Sequence, residues 1–229
     1  MAVMPVLAQT SQDFLRKYSI LVSQVGPGGV GVETLLDNWA KADQDNPDML
    51  TAKYTCYLTK AQSTEIVTSP NKRYLGLDPV LSLADSTGAA VYYYQVLAYD
   101  DELFGEAIKA MDRAADVYPE RFDFRFMKVN AYVSYERESP DMALSCLVDL
   151  VEEYAEGDLE WTYEGEKTDE MFFIDAMQEL TECWTAKNLL SHWFIGHNER
   201  LVELTQSNHY LGLSGHLCLI SHDGRKGLA

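Results

Sequence analysis

The sequence predicts an all-α chain of antiparallel helix hairpins that carries one short β-hairpin-like insertion. Three observations predict it. Apolar residues recur at steps of three and four through most of the 229 residues, the period of a helix with one buried face. One such pattern returns along the chain at fixed intervals. A single stretch, residues 64–99, is instead punctuated by Pro70, Gly76, Pro79 and Gly88.

In chain order, the first helix is read from Phe14, Leu15, Tyr18, Leu21, Val22 and Val25, which fall on one face. Ser11 supplies the expected N-cap, with Gln12 and Asp13 in the first turn. "GPGGVG" follows, and then Val32, Leu35, Leu36, Trp39 and Ala42 set out a second helix. "DQDNPD" breaks it, with Pro47 read as the stop. A third helix is expected over "DMLTAKYTCYLTKAQ". "LSLADSTGAAVYYYQ" reads as two extended runs about a D-S-T-G turn, with Tyr92, Tyr93 and Tyr94 on the hairpin faces.

From Asp100 the helical period resumes. One helix ends at Pro119, one runs to about Glu136, and one closes at Gly157. "DLEWTYEGEKTD" reads as a polar loop. Two further helices are expected over about 168–187 and 189–205, with "HYLGLSGHLCLIS" a candidate for another.

The repeated pattern is clearest in residues 104–119, where Phe104, Ala107, Ile108, Met111, Ala114 and Pro119 are spaced by three, one, three, three and five. Small Ala107 and Ala114 allow a neighbouring helix to approach closely, the larger residues fill the seam, and Pro119 ends the helix. Val32, Leu35, Leu36, Trp39, Ala42 and Pro47 repeat that spacing. Ala143, Leu144, Leu147 and Leu150 repeat part of it, with Ala155 where the proline would fall. Leu35, Ala107 and Ala143 lie 72 and 36 residues apart, two periods and then one.

In these residues the chain resembles the tetratricopeptide repeat (TPR) family, in particular exported bacterial members of unassigned role. The resemblance implies a right-handed superhelical stack of helix hairpins, a TPR-like solenoid over residues 10–229, that binds a protein or peptide on its concave side. Tyr57 and Val129 stand where first helices of such repeats carry a small residue. The insertion at 64–99 interrupts one repeat, and "HDGRKGLA" reads as a second helix cut short. Because first helices line the groove in that family, the resemblance points to Tyr54, Phe126 and Asn130 as peptide-binding residues. Ordinary helix packing is the competing account of each.

Charge narrows the partners. With 36 acidic and 18 basic residues the formal net charge is −18, which repels nucleic acid and anionic lipid. A basic partner, a cation or a neutral ligand remains. Cys56, Cys146, Cys183 and Cys218 are far apart, without the C-x-x-C spacing of a zinc or redox motif. No apolar run approaches the roughly 18 residues of a membrane span. Val6 and Ala8 stand at the −3 and −1 places of a small-residue cleavage site. Residues 1–9 are therefore read as the tail of an export signal, placing the chain in the periplasm or envelope. The alternative is a plain N-terminus on a cytoplasmic protein.

Several motifs have bland readings that outweigh the sharp ones. Gly26, Gly28 and Gly31 have G-x-G-x-x-G spacing, but a dinucleotide loop needs a preceding strand, and Pro27 lacks an N–H for a phosphate. They are read as a tight turn between two helices. His192, His197 and Glu199 lack the i, i+4 spacing of a helical metal pair, and His209, His216 and His222 show no ligand pattern. No cofactor is expected. From Glu152 to Glu170 there are nine carboxylates and one lysine, a solvated loop or a dock for a basic partner.

The expected function is a non-enzymatic scaffold for a protein or peptide. The alternative is an envelope protein that binds a small ligand or glycan on the tyrosine-rich insertion and Trp161. A third reading, carboxylate-based catalysis, requires acids that converge in a pocket.

Overall fold

The computed structural model describes residues 10–136, 141–157, 159–169, 171–173 and 175–177. Among them the chain is mostly helical with a small antiparallel sheet. Its elements run α1 (Ser11–Val25), α2 (Val32–Ala42), α3 (Pro47–Ala61), β1 (Gln62–Ser69), β2 (Leu81–Ala84), β3 (Ala90–Tyr99), α4 (Asp101–Val117), α5 (Phe122–Tyr135), α6 (Asp141–Glu156), β4 (Thr162–Tyr163) and β5 (Glu166–Lys167). The helix expected from about 168 is present at 171–173 and 175–177. Residues 1–9, the segment 189–221, Cys183, Cys218, Glu199 and the five histidines lie outside the described residues.

The chain forms two compact units, Met1–Ser63 with Leu97–Pro119, and Thr64–Val96 with Glu120–Ala229. In the first unit, helix ends follow local chemistry. Thr10, not Ser11, caps α1: its hydroxyl accepts from the Asp13 N–H, and the Asp13 carboxylate accepts from the Thr10 N–H. This reciprocal capping box needs an acid three residues past the cap, which Asp13 provides only for Thr10. Pro47 opens α3 rather than closing α2, because Asn46 caps α3 and a first-turn proline has no N–H to satisfy. Asp43 ends α2.

"GPGGVG" is a turn between two helices. Gly26 closes α1 at φ +78° and Gly31 opens α2 at φ +89°, both in the region that favours glycine. A Cβ on Gly29 would lie 2.4 Å from the Val25 carbonyl oxygen, so the reversal admits no side chain there. With α1 in place of a strand, the dinucleotide-loop geometry is absent.

The core of this unit is built from the repeating positions. Val32, Trp39, Ala107, Met111 and Ala114 are each 0% exposed, and the Phe14 ring stacks on Trp39 at 6.0 Å. Cys56 packs among them as a small apolar residue. α3 and α4 form the most extensive helix pair in the unit although β1–β3 separate them in sequence. The insertion leaves and returns at one point, where the Asp100 N–H donates to the Ala61 carbonyl. Arg113 pairs with Asp45 at 2.7 Å, and the Tyr118 hydroxyl donates to the Asp45 carbonyl, tying α4 to the α2–α3 turn.

Tyr54 faces this core at 7% exposure, and burial, with Tyr99 nearby, pushes its phenol up to about 12. An unfolded tyrosine titrates near 10. The folded chain therefore keeps a proton that the unfolded chain releases between those values. Stability carried by the protonated phenol is present below pH ~10 and is lost as pH rises toward ~12, up to about 2–3 kcal/mol. Alkaline denaturation followed by circular dichroism should become flatter in Tyr54→Phe over that window. An unchanged curve would contradict the burial.

The insertion is larger than a hairpin. β2 and β3 pair antiparallel as expected, with Leu81 opposite Tyr93 and Ala84 opposite Ala90. The D-S-T-G turn is held by the Asp85 carboxylate, which accepts from Thr87 and from the Ala89 N–H. β1 adds a third strand on the other side of β3, in the order β1-β3-β2. Tyr94 is 0% exposed, packed on Tyr74 with its hydroxyl donating to the Asn71 carbonyl. These contacts hold it within the insertion.

Candidate binding cleft

The second unit holds a cleft of about 430 Å³ at the base of a small hairpin. α5 supplies its foundation. Phe122 and Phe124 begin that helix almost fully buried, and Phe122 is ringed by Phe126, Trp161, Phe172 and Phe173 with centroids 5.4–6.3 Å apart. α6 packs on α5 and carries in its last turn Tyr154, whose ring stacks on Phe173 at 3.6 Å and on Trp161 at 6.1 Å.

The acidic stretch after α6 is more ordered than a polar loop. Thr162 and Tyr163 pair with Lys167 and Glu166 as β4 and β5. Glu164 and Gly165 join them with φ of +51° and +87°, the two positive values of a type I′ two-residue turn. Asp123 fastens this hairpin to α5. Its carboxylate takes two hydrogen bonds from Arg121, at 2.7 and 2.6 Å, and one from the Glu164 N–H at 3.2 Å. The Thr162 N–H also donates to the Glu120 carbonyl. Arg125 pairs with Glu153 at 2.7 Å and lies 5.2 Å from the centre of the Trp161 ring, so this cation is held by both a carboxylate and an aromatic face.

The cleft is lined by Tyr154, Leu159 and Trp161 on its apolar side and by Glu160, Lys167, Thr168 and Asp169 on its polar side. Thr168 donates to the Trp161 carbonyl through both its N–H and its hydroxyl, setting the polar side against the wall. Lys167 lies 2.6 Å from Glu160, which holds that carboxyl below the ordinary range. Asp169 accepts from the Phe172 N–H and so caps the turn that carries Phe172 and Phe173. Among the described residues, no three His, Cys, Asp or Glu side chains are placed to hold a metal ion. An aromatic wall in a cleft that two carboxylates also line suits a cationic or amphipathic side chain.

The residues singled out from the sequence have different positions. Tyr54 belongs to the first unit and is buried. Phe126 and Asn130 belong to the second, half-buried and one turn apart on α5. Trp161 and the acidic stretch meet in the cleft. Tyr154 reads in the sequence as one more apolar position of α6, and nothing local marks it as a wall. The hairpin carried a faint signal, alternation around Glu-Gly in "TYEGEK". No family model, curated protein or solved structure matches the chain.

Proposed function

We propose that the protein is a non-catalytic scaffold of tetratricopeptide type that binds a protein or peptide carrying basic side chains. The cleft beside β4 and β5 is where those side chains dock. The observation that carries this reading is the aromatic wall of Tyr154 and Trp161 facing Glu160 and Asp169, within a stretch of nine carboxylates and one lysine. Burial of Ala107, Ala114 and Ala143 supports the scaffold, since these small residues stand at the positions where helices of such repeats approach closely. The export reading of residues 1–9 would place the partner in the periplasm or envelope. Glycan stacking on the insertion has less support, because the Tyr94 ring, 0% exposed, offers a sugar no surface.

The test is calorimetric titration with a lysine-rich peptide, for the natural chain and for Glu160→Gln combined with Asp169→Asn. Asparagine keeps the cap at position 169, so the double variant loses charge with little structural cost. Binding should weaken about two- to tenfold in the variant, as expected for rim charges, and should weaken in both proteins as salt rises. Equal affinity of the two proteins would overturn the reading.

A further inference from the structure

We propose that two copies of the chain associate through the open edge of β2, antiparallel and centred on Ser82, joining two three-stranded sheets into one of six. β2 lies at the edge of its sheet, and all four of its residues are exposed, Leu81 at 49% and Leu83 at 48%. The Asp85 N–H donates to the Ala89 carbonyl. Alternation of an antiparallel ladder carries that pairing back to Leu83 with Val91 and Leu81 with Tyr93. Ser82 and Ala84 therefore point their N–H and C=O groups away from β3. Among the described residues these outward groups have no partner. Such an edge is a template for another strand.

A second copy fits because the strand is palindromic. Leu81-Ser82-Leu83 reads the same in both directions, and a two-fold interface must be self-complementary. Residues opposite one another share a sheet face, so a register that matches faces pairs residues of equal parity. Centring on Ser82 meets this condition: the two Ser82 residues exchange both backbone hydrogen bonds, and Leu81 lies against the second copy's Leu83. Leu81 and Leu83 already share a face with Tyr93 and Val91, so pairing doubles an apolar stripe. Charge favours the same surface. From Pro79 to Tyr99 the only charged residue is Asp85, in a chain of net charge −18. β2 itself carries no charge, so no charge faces another where the two strands pair.

Pairing of so short a strand buries less than the roughly 1,600 Å² of a standard interface, so the dimer exchanges with monomer. Screening relieves repulsion between two acidic copies, and salt should tighten the dimer, opposite to its effect on a basic peptide at the cleft.

Sedimentation equilibrium of the full chain, at low and high salt, tests the proposal with Ser82→Pro and Leu83→Lys. Proline at 82 removes an outward N–H and leaves the β2–β3 ladder intact, which circular dichroism would verify. Leu83→Lys lowers the net negative charge, so a loss of association there cannot come from greater repulsion. The natural chain should pass from monomer to dimer with concentration, more readily at high salt, and both variants should associate about tenfold or more weakly. Should Ser82→Pro fail to fold, Leu83→Lys decides alone. A natural chain that stays monomeric, or one that pairs instead with a strand of another protein, overturns the proposal. So do dimers undiminished in the folded variants.

Discussion

Trp39→Ala is expected to destabilise the first unit by about 3–5 kcal/mol, the range for emptying a large aromatic site in a close-packed core. Trp39 is 0% exposed, stacks on Phe14, and stands in the repeating pattern beside Val32 and Leu36, both nearly fully buried. Its indole N–H has no hydrogen-bond partner among the described residues. Trp39→Phe therefore removes a buried donor without breaking a bond, and its smaller ring keeps much of the packing. It should cost less than about 1.5 kcal/mol, because relief of desolvation offsets part of the lost volume. Urea denaturation of both variants measures the contrast. If Trp39→Phe cost as much as Trp39→Ala, a hydrogen bond rather than packing would be holding this position.

The second large effect is expected at Asp123. This carboxylate is 6% exposed and joins Arg121 of the α5 N-terminus to the Glu164 N–H of the β4–β5 turn. Asp123→Ala takes a carboxylate from the Arg121 guanidinium, itself only 16% exposed, and an acceptor from the Glu164 N–H. Removing one partner of such a buried pair costs about 3–5 kcal/mol. Asp123→Asn keeps an oxygen for the Glu164 N–H and should cost less. Both variants loosen the hairpin that frames the cleft, so peptide affinity should fall together with stability, although Asp123 does not line the cleft. Denaturation and titration on the same samples separate this from the rim variants, which should lose affinity while keeping stability.

Much of the fold was legible because its causes are local. The period of Val32, Leu36 and Trp39 reports the buried face of α2, and the same period in Phe104, Ala107, Ile108 and Met111 reports that of α4. The D-S-T-G turn is legible because one Asp85 carboxylate satisfies several nearby donors. β1 was not legible. "QSTEIVTS" has only Ile66 and Val67 as apolar residues and is mostly exposed, so no alternation marks it. It is a strand because β3 offers it a ladder. The cap of α1 and the role of Pro47 were misjudged by small steps, since residues that cap or stop a helix and residues that favour its first turn overlap in type.

By itself the sequence determined α1 to α6, the glycine turn, the hairpin about Asp85 and a formal net charge of −18, all properties of near neighbours or of totals. Only the tertiary structure decided that Tyr54 is core, and that Tyr154 and Trp161 wall a cleft with Glu160 and Asp169. It alone decided that Asp123 reaches a turn 41 residues away. The physical reason is one of range. Periodicity and capping are settled within a few residues, whereas a site is assembled from side chains that meet only after the helices have packed.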